Sequence, residues 1–223
     1  MKLPISKRLL ACAGFLTPGA RVADVGTDHG YLAIYLVQSG LASHVLASDI
    51  RPGPLARARE NAARFGVQDR ISFYLTDGVR GLPREFDTLL LAGMGAETMI
   101  HILREAPWLH SGYRLVLQCQ SSQNELRQYL SEHDWRIIRE EPVLDKFLYT
   151  VLEASPGHQI LTPAQHFVTP ALQRCGGELV ERYIRFCRRT VEEAAQGMQH
   201  AGGPKYAYYC QALEGLREME ASL

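Results

Sequence analysis

One stretch constrains this chain more than any other: Asp24-Val25-Gly26-Thr27-Asp28-His29-Gly30-Tyr31. Residues 21–25 have the apolar, β-branched character of a short buried strand, and residues 31–37 recur at helical spacing. A strand that breaks at a glycine and re-enters as a helix leaves open backbone N–H groups and a helix N-terminus at one point. That point attracts the polar end of a nucleotide-like ligand. About 20 residues on, a second strand ends at Asp49, placed to accept hydrogen bonds from ribose hydroxyls. In the plainer alternative Gly26 and Gly30 only make a tight βα turn and Asp49 caps the next helix.

The glycines also discriminate between ligands. A dinucleotide fingerprint is G-x-G-x-x-G, whereas here only Gly26 and Gly30 are present and the middle position is Asp28. A carboxylate there repels a pyrophosphate, so NAD fits poorly. A ligand with an adenosine half and a cationic centre, such as S-adenosylmethionine, suits an acidic loop. Asp24, Gly26, Thr27, Asp28, Gly30, Tyr31, Asp49 and Ile50 are then its expected contacts.

The strand–turn–helix unit recurs. Upstream, Ser6 caps a short helix with Leu9, Leu10, Ala13 and Phe15 facing inward and Arg8 reaching back toward the loop. Downstream, Pro52-Gly53-Pro54 opens a helix stopped by Gly66. Residues 71–75 form a third strand leading to Asp77-Gly78, where Asp77 meets an adenine amino group or makes an Asx turn. Residues 88–91 are apolar enough for the centre of a parallel sheet. They run into Ala92-Gly93-Met94-Gly95, whose glycines let a ligand approach the backbone. Residues 113–118 are a fifth strand, followed by a helix through Leu126 and Leu130. Residues 135–140 and 147–152 have no helical pattern between them and predict an antiparallel pair joined across Glu141-Pro142 to Lys146. Five βα repeats closed by such a pair predict an α/β, Rossmann-like, seven-stranded sheet of the methyltransferase kind, six strands parallel and one antiparallel.

Ser155-Pro156-Gly157 reads as a boundary between residues 1–155 and a C-terminal unit, 156–223. There, apolar residues recur at three and four from Leu179 to Met198 and again from Tyr206 to Met219, interrupted by Gly202-Gly203-Pro204. That predicts a small α-helical hairpin with coiled-coil-like packing. Arg182, Arg185, Arg188 and Arg189 fall largely on one side of the first helix, with Lys205, Tyr206, Tyr208 and Tyr209 near the turn. Basic residues with aromatics suit phosphate contacts and base stacking. A solvated face partly neutralised by Glu181, Glu192 and Glu193 is the plainer alternative, and whether the hairpin binds RNA or joins two copies stays open.

Composition narrows the classes. Lys+Arg and Asp+Glu balance at 24 each, so nucleic-acid binding rests on local patches. The five cysteines include no C-x-x-C pair, which argues against structural zinc and for a reducing cytoplasm. No apolar run reaches membrane length, and residues 1–8 lack a signal-peptide core.

Ser6-Lys7-Arg8-Leu9, the loop at 23–32, Asp77-Gly78, Ala92-Gly93-Met94-Gly95, Leu117-Gln118 and Leu126-Arg127 fall in the order of one family. Along essentially its full length the chain resembles the bacterial tRNA (adenine-22-N1)-methyltransferases. The resemblance implies a class I methyltransferase domain, a C-terminal coiled-coil domain, S-adenosylmethionine as cofactor and the tRNA D-loop as target. With it, Arg8, Asp77, Gly78, Ala92, Gly93 and Met94 complete the expected cofactor site, Gly95 and Gln118 face the substrate, and Arg182, Arg185, Arg189 and Lys205 contact tRNA. Ala96 stands where the family usually has glycine and Cys119 where it has proline; both touch the substrate side.

The expected reaction is methyl transfer to N1 of an adenine. N1 has an in-plane lone pair and no proton, so no base is needed to start the attack. The product ring is cationic, and Asp28 is the candidate carboxylate that stabilises the developing charge. His29 orients the base or assists later proton loss. Simpler roles are an N-cap for Asp28 and a packed turn residue for His29. The adenine must be extruded before N1 can be reached. Rival functions are a small-metabolite methyltransferase whose hairpin dimerises, a non-catalytic cofactor- or RNA-binding protein, and an NAD-linked enzyme.

Overall fold

The computed structural model describes residues 3–223; Met1 and Lys2, part of the segment read for a leader, lie outside them. Strands β1 (Ala20–Val25), β2 (Ala42–Asp49), β3 (Ile71–Leu75), β4 (Thr88–Met94), β5 (Arg114–Cys119), β6 (Trp135–Leu144) and β7 (Leu148–Pro156) form one seven-stranded sheet. Their order is β3-β2-β1-β4-β5-β7-β6. Neighbours among the first five pair in parallel, while β7 is antiparallel to both β5 and β6. Six strands therefore end at one rim and only β7 begins there.

The faces follow from the period-two alternation of a strand. In β4, Leu89 and Leu91 pack with Met99, Ile102 and Leu103 of α4 (Ala96–Arg104) and with Leu126 and Leu130 of α5 (Gln123–Glu132). Leu90 points the other way, into a cluster with Leu32 and Ile34 of α2 (Tyr31–Gln38) and Cys12 and Ala13 of α1 (Lys7–Ala13). α3 (Pro52–Arg64) joins that second layer through Ala62. Each fully buried leucine contributes about 1.5–3 kcal/mol, so this sheet centre is a rigid platform for the loops at its rim.

Two local expectations change. Ser6 caps α1 as predicted, its Oγ accepting from Leu9 N at 3.4 Å. The inward face of α1, however, runs through Cys12 and Ala13, and Leu10 is 37% exposed. Leu10 lies one helical step, about 100°, round from Leu9, whereas the contact stripe continues at three and four residues. β6 also runs through Pro142, opposite Thr150, to Leu144, instead of stopping before Glu141. β6 is the edge strand, so the missing N–H of Pro142 need not cost a ladder bond.

The remaining helices are α6 (Pro170–Cys175), α7 (Glu178–Met198) and α8 (Gly203–Ala221). Val180, Tyr183, Ile184, Cys187 and Val191 of α7 pack against Ala212 and Leu216 of α8, with Ala164, Phe167 and Val168 closing one end. A buried polar knot ties this unit to the sheet. Arg127 Nη2 donates to Glu140 Oε1 at 2.5 Å, Thr150 Oγ1 at 2.9 Å and the Tyr183 hydroxyl at 3.2 Å, while Nη1 donates to the Phe167 carbonyl at 2.9 Å. Thr169 Oγ1 donates to Glu140 Oε2 at 2.6 Å, and the Tyr183 hydroxyl donates to Gln123 Oε1 at 2.7 Å. No helix among the described residues is long and apolar enough to cross a membrane.

Candidate cofactor and active site

At the strand rim lies a cavity of about 390 Å³, within the range of small-ligand sites. It is walled by the turn after β1, the tips of β2 and β3, the glycine bulge of β4 and the side chains of Arg8 and Leu9 from α1. Of the residues expected to hold the cofactor, Arg8, Asp24, Gly26, Thr27, Asp28, Tyr31, Asp49, Ile50, Asp77, Gly78, Ala92, Gly93 and Met94 all line it, and so does His29. Gly30 does not; it N-caps α2 and lies against Ala58. Arg51, Thr76, Thr98 and Ile102, which no sequence motif singles out, also line the wall. Arg51 and Thr76 adjoin strand tips already singled out, and adjacency alone points to them. Ile102 lies one turn beyond Thr98 on α4, visible only once the inward face of that helix is fixed.

Two glycines shape the floor. Gly26 has φ +76°, and a Cβ there would come within 2.8 Å of Met94 Cε. Gly93 has φ +83° at a register shift of β4, and its Cβ would meet Arg8 Nη1 at 3.0 Å. Side chains at either position would fill the space a ligand needs and strain the backbone by about 1–3 kcal/mol. Gly26→Ala should therefore lower S-adenosylmethionine affinity by about tenfold or more in a calorimetric titration.

Acidic side chains dominate the lining. Asp24, Asp28, Asp49 and Asp77 face the same space, against the guanidinium groups of Arg8 and Arg51. Asp49 Oδ2 accepts from Asp28 N at 3.2 Å and Oδ1 from Arg51 N at 2.9 Å, so this carboxylate braces two successive turns. Asp24 is buried and accepts from Thr27 Oγ1 at 2.7 Å. Burial, reinforced by the nearby charge of Asp49 and opposed by the Thr27 hydrogen bond, pushes its pKa from 3.8 to about 6. A carboxylate held against its own ionisation favours a cation placed beside it. The donor set, the acceptors and the glycine floor thus fit an S-adenosylmethionine-like ligand and disfavour a pyrophosphate.

The backbone of Asp28 is left-handed, φ 51°, in a non-glycine residue. Its N–H is anchored to Asp49 while its side chain is 58% exposed, with one oxygen 3.8 Å from His29 Nε2. The structure thus fixes the main chain and leaves the carboxylate facing the opening. Gly30, not Asp28, is the N-cap of α2.

The residues expected to meet the substrate separate into groups. Gln118 is fully buried; its Oε1 accepts from Arg8 Nη1 at 2.9 Å and its Nε2 donates to the Cys119 carbonyl at 3.2 Å, so it positions Arg8 without reaching the cavity. Gly95 N-caps α4 beside Ser121, also outside the lining. Arg185 is paired with Glu181 and Glu220, whereas Arg182, Arg189 and Lys205 are exposed and make no ion pair among the described residues. Lys205 sits near the far end of α7, about 30 Å along from its first turn.

Residues 5–152 match the family described as "Methyltransferase domain". The chain is 34% identical over 160 residues, 70% of its own length and 67% of the relative's, to the tRNA (adenine(22)-N(1))-methyltransferase of Bacillus subtilis. The crystal structure of the B. subtilis m1A22 tRNA methyltransferase superposes with a TM-score of 0.79 at 27% identity, covering 99% of this chain and 97% of that one. A Streptococcus pneumoniae protein described as a candidate tRNA (m1A22) methyltransferase, solved in complex with S-adenosyl-L-methionine, superposes with a TM-score of 0.83 at 25% identity, over 97% of this chain and 99% of that one. With the rim cavity, its acidic glycine floor and the helical hairpin beyond the seven-stranded sheet, these likenesses show that the chain belongs to the tRNA (adenine-22-N1)-methyltransferase family of S-adenosylmethionine-dependent enzymes.

Proposed function

We propose that this protein methylates N1 of adenine 22 in tRNA, and that Asp28 and His29 carry the chemistry. The observation behind the assignment is the pairing of a main chain fixed by Asp49 with a free Asp28 carboxylate at the mouth of an acidic cavity. When bound, S-adenosylmethionine supplies a methyl group on a sulfonium cation. Asp24 would hold the cationic end, Asp49 would accept from the ribose hydroxyls, Ile50 would lie against the adenine ring and Asp77 would accept from its amino group. Arg8, steadied by Gln118, closes the cavity from above. Asp28 faces the incoming base and offsets the positive charge that reaches its ring. His29 orients the base edge.

The RNA must be gripped elsewhere, because an acidic cavity repels phosphate. Arg182, Arg189 and Lys205 on the hairpin supply that grip, and Arg185 is held by its glutamates.

Mass spectrometry of nucleosides from unmodified tRNA incubated with protein and cofactor tests the reading. The expected product is 1-methyladenosine at one position; another methylated nucleoside, or none, contradicts it. Asp28→Asn should lower kcat by about 10²–10³-fold, a larger effect than the one on the affinity for S-adenosylmethionine.

A further inference from the structure

We infer that the tip of the β6–β7 hairpin is a base-stacking post for the RNA, with Phe147 as the stacking side chain. The inference rests on the RNA-methyltransferase reading and adds a substrate contact to it.

The topology places this tip. β6 runs parallel to β5, so Leu144 ends at the same rim as the cavity strands. Leu117 pairs with Leu152, and β5 ends at Cys119, level with Thr150. The hairpin therefore continues three residues past the rim to Phe147, about 10 Å at roughly 3.3 Å per residue. It forms a wall at the same rim as the site, with β5 between it and the cavity strands.

The two flanks of that wall touch the parts that must cooperate. Val143 packs against the same hydrophobic cluster as Leu9, which lines the cofactor cavity. Leu148 packs against the core of the helical hairpin. Between them Phe147 is 68% exposed, with Lys146 exposed next to it. Asp145 N donates to the Phe147 carbonyl at 3.1 Å, closing the turn and fixing the backbone that carries the ring. Tyr149 meets the Phe147 ring edge-on at 6.1 Å between centroids, leaving area on its faces open. A solvent-facing aromatic on a hydrogen-bonded turn, beside a cation and between an RNA-holding arm and a methylation site, has the chemistry of a base–phosphate contact. An adenine extruded for methylation leaves its neighbours unstacked, and Phe147 offers one of them a new stacking partner.

The test uses the full-length protein and a tRNA transcript with 2-aminopurine beside the target adenine. On binding wild type, the probe should be quenched by stacking. Phe147→Ala should leave it brighter and weaken tRNA binding about tenfold, since base–aromatic stacking is worth about 1–3 kcal/mol. The Kd for S-adenosylmethionine and the thermal midpoint should not move. Phe147→Trp should restore both the quenching and the affinity. Unchanged probe signal and tRNA affinity in Phe147→Ala would overturn the inference, and so would a loss of cofactor binding. A wild-type protein that methylates no adenine in tRNA overturns the functional reading itself, an outcome seen before any variant is made.

Discussion

Arg127→Ala should lower stability by about 3–5 kcal/mol, the typical cost of breaking a buried ion pair. Arg127 is 1% exposed, as is Glu140. Burial alone would lower the pKa of Arg127, but the Glu140 carboxylate and the Tyr183 hydroxyl raise it, so the guanidinium is charged at every working pH. Removing it strands Glu140 with the Thr169 hydroxyl as its remaining partner in the knot, and leaves the Tyr183 hydroxyl of α7 with Gln123 of α5 as its one partner there. For a domain of this size each kcal/mol shifts the midpoint by about 2–4 °C, so Tm should fall by roughly 6–20 °C. The double variant Arg127→Met, Glu140→Met should recover at least half the loss, because replacing both charges removes the desolvation cost as well as the pair. A single-variant shift below about 2 °C in thermal denaturation would contradict this account of the knot.

Asp24→Asn should move stability and binding in opposite directions. The folded-state pKa of Asp24, about 6, lies above its ordinary 3.8, with burial as the main cause. The folded state therefore holds the proton more tightly than the unfolded one. Stability is withdrawn as pH rises from near 3.8 through about 6, then stays level. At about 1.4 kcal/mol per pH unit the withdrawal is on the order of 3 kcal/mol. An amide does not ionise, so the ligand-free variant at pH 8 escapes this cost, less about 1–2 kcal/mol for a buried N–H without an acceptor. Its Tm should exceed wild type at pH 8, with the advantage gone at pH 4. Its affinity for S-adenosylmethionine should fall about 10- to 100-fold, since a charge-assisted contact is lost. In wild type, affinity should rise with pH through about 6. A variant equally stable at pH 8, or one that keeps its affinity, contradicts the assigned environment of Asp24.

The contrast between these residues shows which physics is written locally in the chain. Asp24, Gly26, Asp28 and Asp49 were legible because a βα turn brings near neighbours in sequence together, and their residue types state their chemistry. The closing hairpin was legible from two strand patterns with no helix between them. Arg127 was visible only as part of a motif; the partners Glu140, Thr150, Thr169 and Tyr183 come from four separate segments, and no local pattern links them. Gln118 sits in a recognisable motif, but its bond to Arg8, far away in the sequence, is not legible there. Partial neutralisation of the basic stripe of α7 by Glu181 and Glu192 is legible at helical spacing, but the pairing of Glu220 of α8 with Arg185 and Arg188 is not. Long-range pairing of this kind follows from packing, which the periodicity of one helix does not encode.

The central claim is that the acidic glycine cradle at the ends of β1, β2 and β4 holds S-adenosylmethionine. Calorimetric titration of that cofactor into wild type and into Asp49→Ala, with folding of both checked by thermal denaturation, tests it most directly. A single site in wild type, weakened at least tenfold in the variant, is the predicted result; equal affinity in the two folded proteins would mean that the methyl donor binds elsewhere.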